Sequence, residues 1–178
     1  MSLISCYTDT ETTGLNPFKG DRIVEVCCIL TVDFEIVDTF HTLVNPERPV
    51  GFSATIHGHT DEQLKNAPVF SDISKDLKHF IKQADNLIAY NAPFDVKFLK
   101  HEFNSRGFGP FNIHNQIDVL GLAKSVFPGE KNKLLNVIER LGIDYSSEQL
   151  HTALSDAKLL IQVHKELLTL LNKNSGLI

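Results

Sequence analysis

Cysteine is scarce: Cys6, Cys27 and Cys28 are the only three in a chain of 178 residues. They form no CxxC pair and lie in apolar, strand-like stretches. They are therefore expected to be buried free thiols of a reducing cytoplasm, not a disulfide framework or a zinc site. No apolar run reaches the ~18 residues that would mark a membrane span. The N-terminal MSLISCYTD has neither a basic region nor a long apolar stretch, which argues against a secretory signal and for a cytoplasmic location. Positive charge is in deficit: 17 Lys and Arg stand against 22 Asp and Glu, a net charge of −5. A protein that held duplex DNA mainly by charge would be basic. Any nucleic acid bound here should be gripped locally, over few phosphates. Repeats, linkers and low-complexity tracts are also missing.

What is present suits one globular domain over residues 1–178, with 42% hydrophobic and 22% charged residues. Ile4 to Asp9 reads as a strand, 22–32 as a second rich in β-branched residues, and 35–44 as a third. The polar break at Asp33 suggests that the last two form a hairpin. Residues 45–51 (NPERPVG) read as a loop. Helical spacing follows in 61–67 and in 69–84, where Phe70, Ile73, Leu77, Phe80 and Ile81 share a face. NLIAY (86–90) reads as a strand and 93–107 as a helix between Pro93 and Gly107. A short strand in NQIDV and helices in 119–127, 133–142 and 153–173 complete the pattern. A hairpin followed by strand–helix alternation predicts an α/β domain with a mixed sheet.

Three groups of acids stand out. Asp9 and Glu11 fall at the end of the first strand, where residues two apart project to one side. Carboxylates that close repel unless a cation lies between them. The following TTGLNP offers small residues and a glycine where a ligand could approach the backbone. A solvated strand end is the plainer alternative. Asp95 falls in a first helical turn, where its charge would also suit the helix dipole, and Asn91 before it could cap that helix. Asp156 sits among Ala153, Leu154, Ala157, Leu159 and Leu160, a less easily dismissed setting for an acid. His151, five residues earlier, would reach Asp156 only from the turn before the helix, because five helical steps place two side chains about 140° apart.

Taken in order, DTETTGL (9–15), NAPFDVKFL (91–99) and HTALSDA (151–157) resemble the three exonuclease motifs of the DEDDh 3′→5′ exonucleases. Within these the chain most resembles the bacterial DNA polymerase III epsilon, or proofreading, type. IHGHTDEQL (56–64) and residues 117–143 resemble further segments, so the similarity runs from about Ile4 to Leu168. It implies an RNase H-like fold, a mixed five-stranded sheet flanked by helices. Asp9, Glu11, Asp95 and Asp156 would hold two divalent ions, Mg²⁺ or Mn²⁺, and His151 would be the general base. Thr12, Thr13, Gly14 and Leu15 would line the groove for the terminal nucleotide, with Asn91 and Phe94 beside it. The implied reaction is hydrolysis at the 3′ end of single-stranded or frayed DNA, releasing nucleoside 5′-monophosphates. The chemistry agrees: hard divalent cations take oxygen ligands, and two of them lower the cost of attack on an anionic phosphodiester.

The resemblance has departures. Tyr90 and Thr152 replace a histidine and an arginine or glycine that are common in relatives, which bears on substrate preference. His59 stands where relatives tend to be aliphatic. With His57 it makes a candidate metal pair, but a turn shaped by His57 and Gly58 is the preferred reading. Asp118 resembles a family acid outside the metal set and reads best as a helix cap. Lys97, Lys100, Lys131 and Lys133 are candidate phosphate contacts or ordinary solvated lysines. The alternatives to a DNA exonuclease are an RNA-trimming enzyme of the oligoribonuclease or RNase T type, and a non-catalytic nucleic-acid-binding subunit. An unrelated phosphohydrolase using Asp9 as nucleophile would leave the other motifs unexplained. A DNA polymerase subunit is the expected protein partner.

Overall fold

A computed structural model describes residues 3–105, 109–112, 115–145 and 152–174. Five strands form one sheet in the order β3-β2-β1-β4-β5. β1 (Ile4–Thr12) is central, antiparallel to β2 (Ile23–Val32) and parallel to β4 (Asn86–Ala89). β3 (Glu35–Leu43) pairs antiparallel with β2, and β5 (Gln116–Asp118) parallel with β4. The expected hairpin is present. Asp33 and Phe34 between its strands have φ of 52° and 71°, the left-handed pair that lets a two-residue turn follow the sheet twist. Phe34 tolerates this while its ring packs against His164 at 5.8 Å.

β1 runs three residues further than its sequence suggested, because Thr10 to Thr12 continue the ladder to β2, with a bulge between Glu11 and Thr12. Its pairing with β4 covers only Ser5 to Tyr7. The acidic end of β1 therefore projects past the carboxyl end of β4, the usual location of ligands in α/β sheets.

The helices are α1 (Ala54–His57), α2 (Asp61–Leu64), α3 (Phe70–Ile81), α4 (Ala92–Ser105), α5 (Val119–Val126), α6 (Leu134–Leu141) and α7 (Ala153–Asn174). α1 and the 3₁₀ turn before it, Gly51–Ser53, were not anticipated, being too short to show a period. All five apolar residues expected to share one face of α3 are buried. They join Phe98, Leu99 and Phe103 of α4 on one side of the sheet, against Cys6 and Cys28. On the other side α5, α6 and α7 pack Val119, Val137, Ala157, Leu160 and Val163 against Tyr7, Cys27 and Ile29. The three cysteines are buried free thiols, as expected. Among the described residues no helix is long and apolar enough to cross a membrane.

The alternation of β1 decides where the acids point. Cys6 belongs to the α3–α4 side and Tyr7 to the α7 side. Asp9 and Glu11 share the parity of Tyr7 and face α7, whereas Thr10 shares that of Cys6.

Asp118 joins two helix starts. Its Oδ1 accepts from Leu120 N at 3.2 Å as the cap of α5, and from Asn91 N at 2.9 Å and Ala92 N at 3.2 Å where α4 begins. The cap role expected of Asp118 is thus observed, and the amides at the start of α4 are met by Asp118, not by the Asn91 side chain. Asn91 itself turns the chain at φ 66°. Asp118→Ala should cost about 1–2 kcal/mol in urea unfolding, with Asp118→Asn losing less because an amide oxygen still accepts. An Asp118→Ala midpoint equal to that of the parent would remove this role.

Candidate active site

Three acids converge where β1 passes the start of α7. One carboxylate oxygen each of Asp9, Glu11 and Asp156 lies within 4.8 Å of the others. Asp9 and Glu11 arrive from alternate positions of β1, and Asp156 from the first turn of α7, with its N–H on Thr152 O at 3.0 Å. Asp95 comes from the opposite side of the sheet, in the first turn of α4. It is 3% exposed, and its Oδ1 accepts the hydroxyl of Thr10 at 2.7 Å. It lies outside the tight trio, yet it is near enough for its charge to act on Asp9. His151 falls outside the described residues. His57 and His59 do not join any metal-capable cluster among the described residues.

The acids disturb one another strongly. Burial pushes Asp9 well above the usual carboxylate range, and the charges of Asp95, Glu11, Asp156 and Glu25 push it the same way. Glu11 is raised to about 8 by burial, then by Asp156, Glu25 and Asp95. Burial raises Asp95 to about 7, although hydrogen bonds from Thr10 and the backbone pull it down. The charges that act most on Asp9 and Glu11 are those of other acids. Hard oxygen donors gathered this closely suit a divalent metal ion.

A cleft of about 490 Å³ opens beside Glu11. It is lined by the turn Thr12–Leu15, by Phe94, and by Phe52, Ser53, Ile56 and His57. Leu15 is 78% exposed and Phe52 81%, so the rim presents apolar surface on which a base could stack. Sequence reasoning missed Phe52 and Ile56, because an apolar residue in an irregular segment carries no periodic signal. Asn91 lies outside this cleft, in a neighbouring depression with Tyr90, Lys124 and Lys133.

The turn is tied from behind. Thr12 Oγ donates to Gly14 O at 2.6 Å, and Thr13 exchanges bonds with the backbone of Arg22. Lys97, a candidate phosphate contact, donates to Leu15 O at 2.8 Å and so fastens the turn to α4. Gly14 is required by its own surroundings as well: a Cβ there would meet the Asp21 carboxylate at 2.5 Å. That carboxylate holds Asn16 N at 2.9 Å and is paired with Arg48. Arg22 is in turn clamped by the buried Glu102 of α4, with Nε–Oε1 at 2.7 Å and Nη2–Oε2 at 3.0 Å.

A family model described as Exonuclease matches residues 7–164. The chain belongs to the exonuclease family. It is 44% identical over 172 residues to the DNA polymerase III subunit epsilon of Rickettsia conorii, covering 94% of this chain and 74% of that protein. It is 37% identical to the same-named subunit of Pasteurella multocida, covering 88% and 64%. Among solved structures, the nuclease domain of 3′hExo, a DEDDh family member bound to rAMP, superposes with a TM-score of 0.77. That match has 24% identity and covers 94% of this chain and 92% of the other. Escherichia coli Exonuclease I with a dA16 oligonucleotide gives 0.77 at 18%, covering 92% and 40%. At such identities the likeness is one of fold, and the expected RNase H-like architecture is the one observed. This exonuclease is a metal-dependent 3′→5′ phosphodiester hydrolase, and its acidic cluster is the place where a divalent ion fits.

The raised carboxyls have a thermodynamic consequence. Glu11 at about 8 and Asp95 at about 7 keep protons that the unfolded chain has already lost. The folded state then binds more protons than the unfolded one, and stability falls as pH rises through those values. His164, lowered to about 4 by burial, acts oppositely but only below its unfolded value of ~6.5. The Tm of EDTA-treated exonuclease should therefore fall between about pH 7 and about pH 8.5, and Glu11→Gln should flatten the fall. Adding Mg²⁺ at pH 7 in weak buffer should release protons. A Tm that climbs over this range, with no proton release, would contradict the assigned shifts.

Proposed function

We propose that this exonuclease trims single-stranded or frayed 3′ ends of DNA, releasing nucleoside 5′-monophosphates. In this reading two divalent ions, Mg²⁺ or Mn²⁺, are held by Asp9, Glu11, Asp95 and Asp156. The observation that carries it is the convergence of Asp9, Glu11 and Asp156 beside a cleft rimmed by exposed Leu15 and Phe52. The bound ions would supply Lewis acidity toward the phosphate and the departing 3′ oxygen.

The chain's own residues divide the remaining work. Asp9 and Glu11 are fixed by a strand paired with β2 along its whole length, so their spacing is rigid. Asp156 closes the cluster from α7, and Asp95 is braced by Thr10. His151 is assigned the role of general base: imidazole near its ordinary pKa of ~6.5 accepts a proton readily at neutral pH. Thr12, Thr13, Gly14 and Leu15 hold the terminal nucleotide, with Asn91 and Phe94 beside it. Phe52 and Ile56 add apolar surface to the same cleft. An apolar cleft of this kind stacks bases without reading their sequence, and it needs few cations. That reconciles nucleic-acid work with a net charge of −5.

DNA is preferred over RNA because the relatives at 44% identity are named as DNA polymerase subunits. The same names support a polymerase subunit as partner. The fold alone does not choose between substrates, since one structural neighbour carries rAMP and another a DNA oligonucleotide.

End-labelled DNA and RNA oligomers of matched sequence test the reading. With Mg²⁺ or Mn²⁺, DNA should shorten stepwise from its 3′ end faster than RNA, and EDTA should stop the reaction. Asp156→Ala should lose almost all activity. His151→Ala should spare metal binding while lowering kcat by roughly 10²–10⁴-fold. Faster RNA trimming would move the substrate to RNA. Near-normal turnover by His151→Ala would remove the base assignment. Binding without cleavage by the parent chain would favour a non-catalytic subunit.

A further inference from the structure

Glu25 is a buried acid that hydrolysis does not account for. It sits on β2 opposite Glu11 and is 2% exposed. Its charge pushes both Asp9 and Glu11 up, so by charge alone it works against the cluster. A buried carboxylate in such company is tolerable only if it is fully bonded.

Its bonds span three segments of chain. Oε1 receives His41 Nε2 from β3 at 2.6 Å. Oε2 receives His59 Nε2, from the loop before α2, at 2.8 Å, and the N–H of Ala153 at 3.2 Å. Burial alone would raise the Glu25 carboxyl, yet these three donors outweigh it and hold it below its ordinary value. They occupy three of its roughly four lone-pair sites, which leaves it poorly placed to be a metal ligand itself. Ala153 opens α7, and its N–H is one of the first-turn donors that a helix cannot satisfy internally. Asp156 lies less than one turn further along.

His59 is held in its turn. Its N–H donates to His57 Nδ1 at 3.0 Å, and the two rings stack at 5.1 Å. Ser53 gives its hydroxyl hydrogen to Val50 O at 2.7 Å, so at 3.0 Å it accepts from His57 Nε2. His57 is therefore the neutral Nε2–H tautomer, consistent with the lowering that burial gives it. Ser53 and His57 also line the cleft. One hydrogen-bonded chain thus runs from the cleft wall through His57, His59 and Glu25 to the first residue of α7.

We propose that Glu25, clamped by His41 and His59, is a positioning residue for the hydrolysis, pinning the first turn of α7 to β2 and so setting Asp156 against Asp9 and Glu11. This rests on the reading that those three acids hold divalent ions. Groups that orient metal ligands typically change metal affinity by 10–100-fold when removed. A residue that only stabilises the fold would change Tm and leave the affinity of the folded fraction alone.

Mn²⁺ binding by calorimetry, on the whole chain, separates the two roles. Glu25→Ala should weaken Mn²⁺ binding roughly 10-fold and shift the half-saturating Mn²⁺ for hydrolysis in parallel. At saturating Mn²⁺ the KM for an oligonucleotide should stay put. Glu25→Gln, whose amide oxygen still accepts from Ala153, should recover most of the affinity. Parental Mn²⁺ affinity in folded Glu25→Ala would overturn the proposal. Should that variant not fold, His59→Leu decides: weaker Mn²⁺ binding supports the role, and unchanged binding overturns it. Asp156→Ala is the control, since parental Mn²⁺ binding there would sink the metal-site reading itself, independently of Glu25.

Discussion

Like-charge repulsion at the end of β1 is the constraint around which the rest of the fold is arranged. Asp9, Glu11 and Asp156 are brought to within 4.8 Å, and their half-buried setting leaves less water to screen them. Flexible side chains on loops would swing apart. Here the backbone forbids it: β1 lies at the centre of the sheet and pairs with β2 along the whole acidic stretch. The opposing helix is pressed onto that sheet by Ala157, Leu160 and Val163. Apolar burial on the α7 side supplies the free energy that holds the acids together, in keeping with the weight that packing carries in folding.

The surroundings are arranged in the same spirit. Behind the substrate turn the bonds join opposite charges: Arg22 with Glu102, and Arg48 with Asp21. In front, Glu25 meets histidines. Among the described residues, no ion pair with Lys or Arg is recorded at Asp9 or Glu11. A protein that neutralised these two acids with its own cations would be more stable without metal and less able to bind one. The cleft follows a similar division. Glu11 brings the acidic cluster to its edge, and its rim is apolar and exposed at Leu15 and Phe52, so affinity for a strand end need not come from a broad positive field.

The sequence disclosed the elements with strong periods and the acids with unusual neighbours. β2 and α3 were visible through their apolar patterns, and Asp156 because it interrupts an apolar helix. The i, i+2 spacing of Asp9 and Glu11 also fixed which way they face once a strand was assumed. Phe52 and Ile56 were hidden because their placement depends on a 3₁₀ turn and a one-turn helix too short to show a pattern. Glu25 gave a signal that was not read: it is the one charge inside the apolar strand β2. Its donors come from residues 41, 59 and 153, distances along the chain that no local pattern encodes. Gly14 has a second reason that no sequence pattern shows: the space beside it belongs to Asp21.

Tyr7, Asp9 and Glu11 share one parity on β1, with Tyr7 anchored by its hydroxyl to His164 Nδ1 at 2.8 Å. Length changes in this strand are therefore not equivalent. Losing or gaining one residue between Tyr7 and Asp9 would rotate both carboxylates to the α3–α4 side of the sheet and put a threonine where a ligand was wanted. Gaining two would lengthen the reach but preserve the facing. The site is thus written in a reading frame of its own, counted in pairs of residues from the core outward.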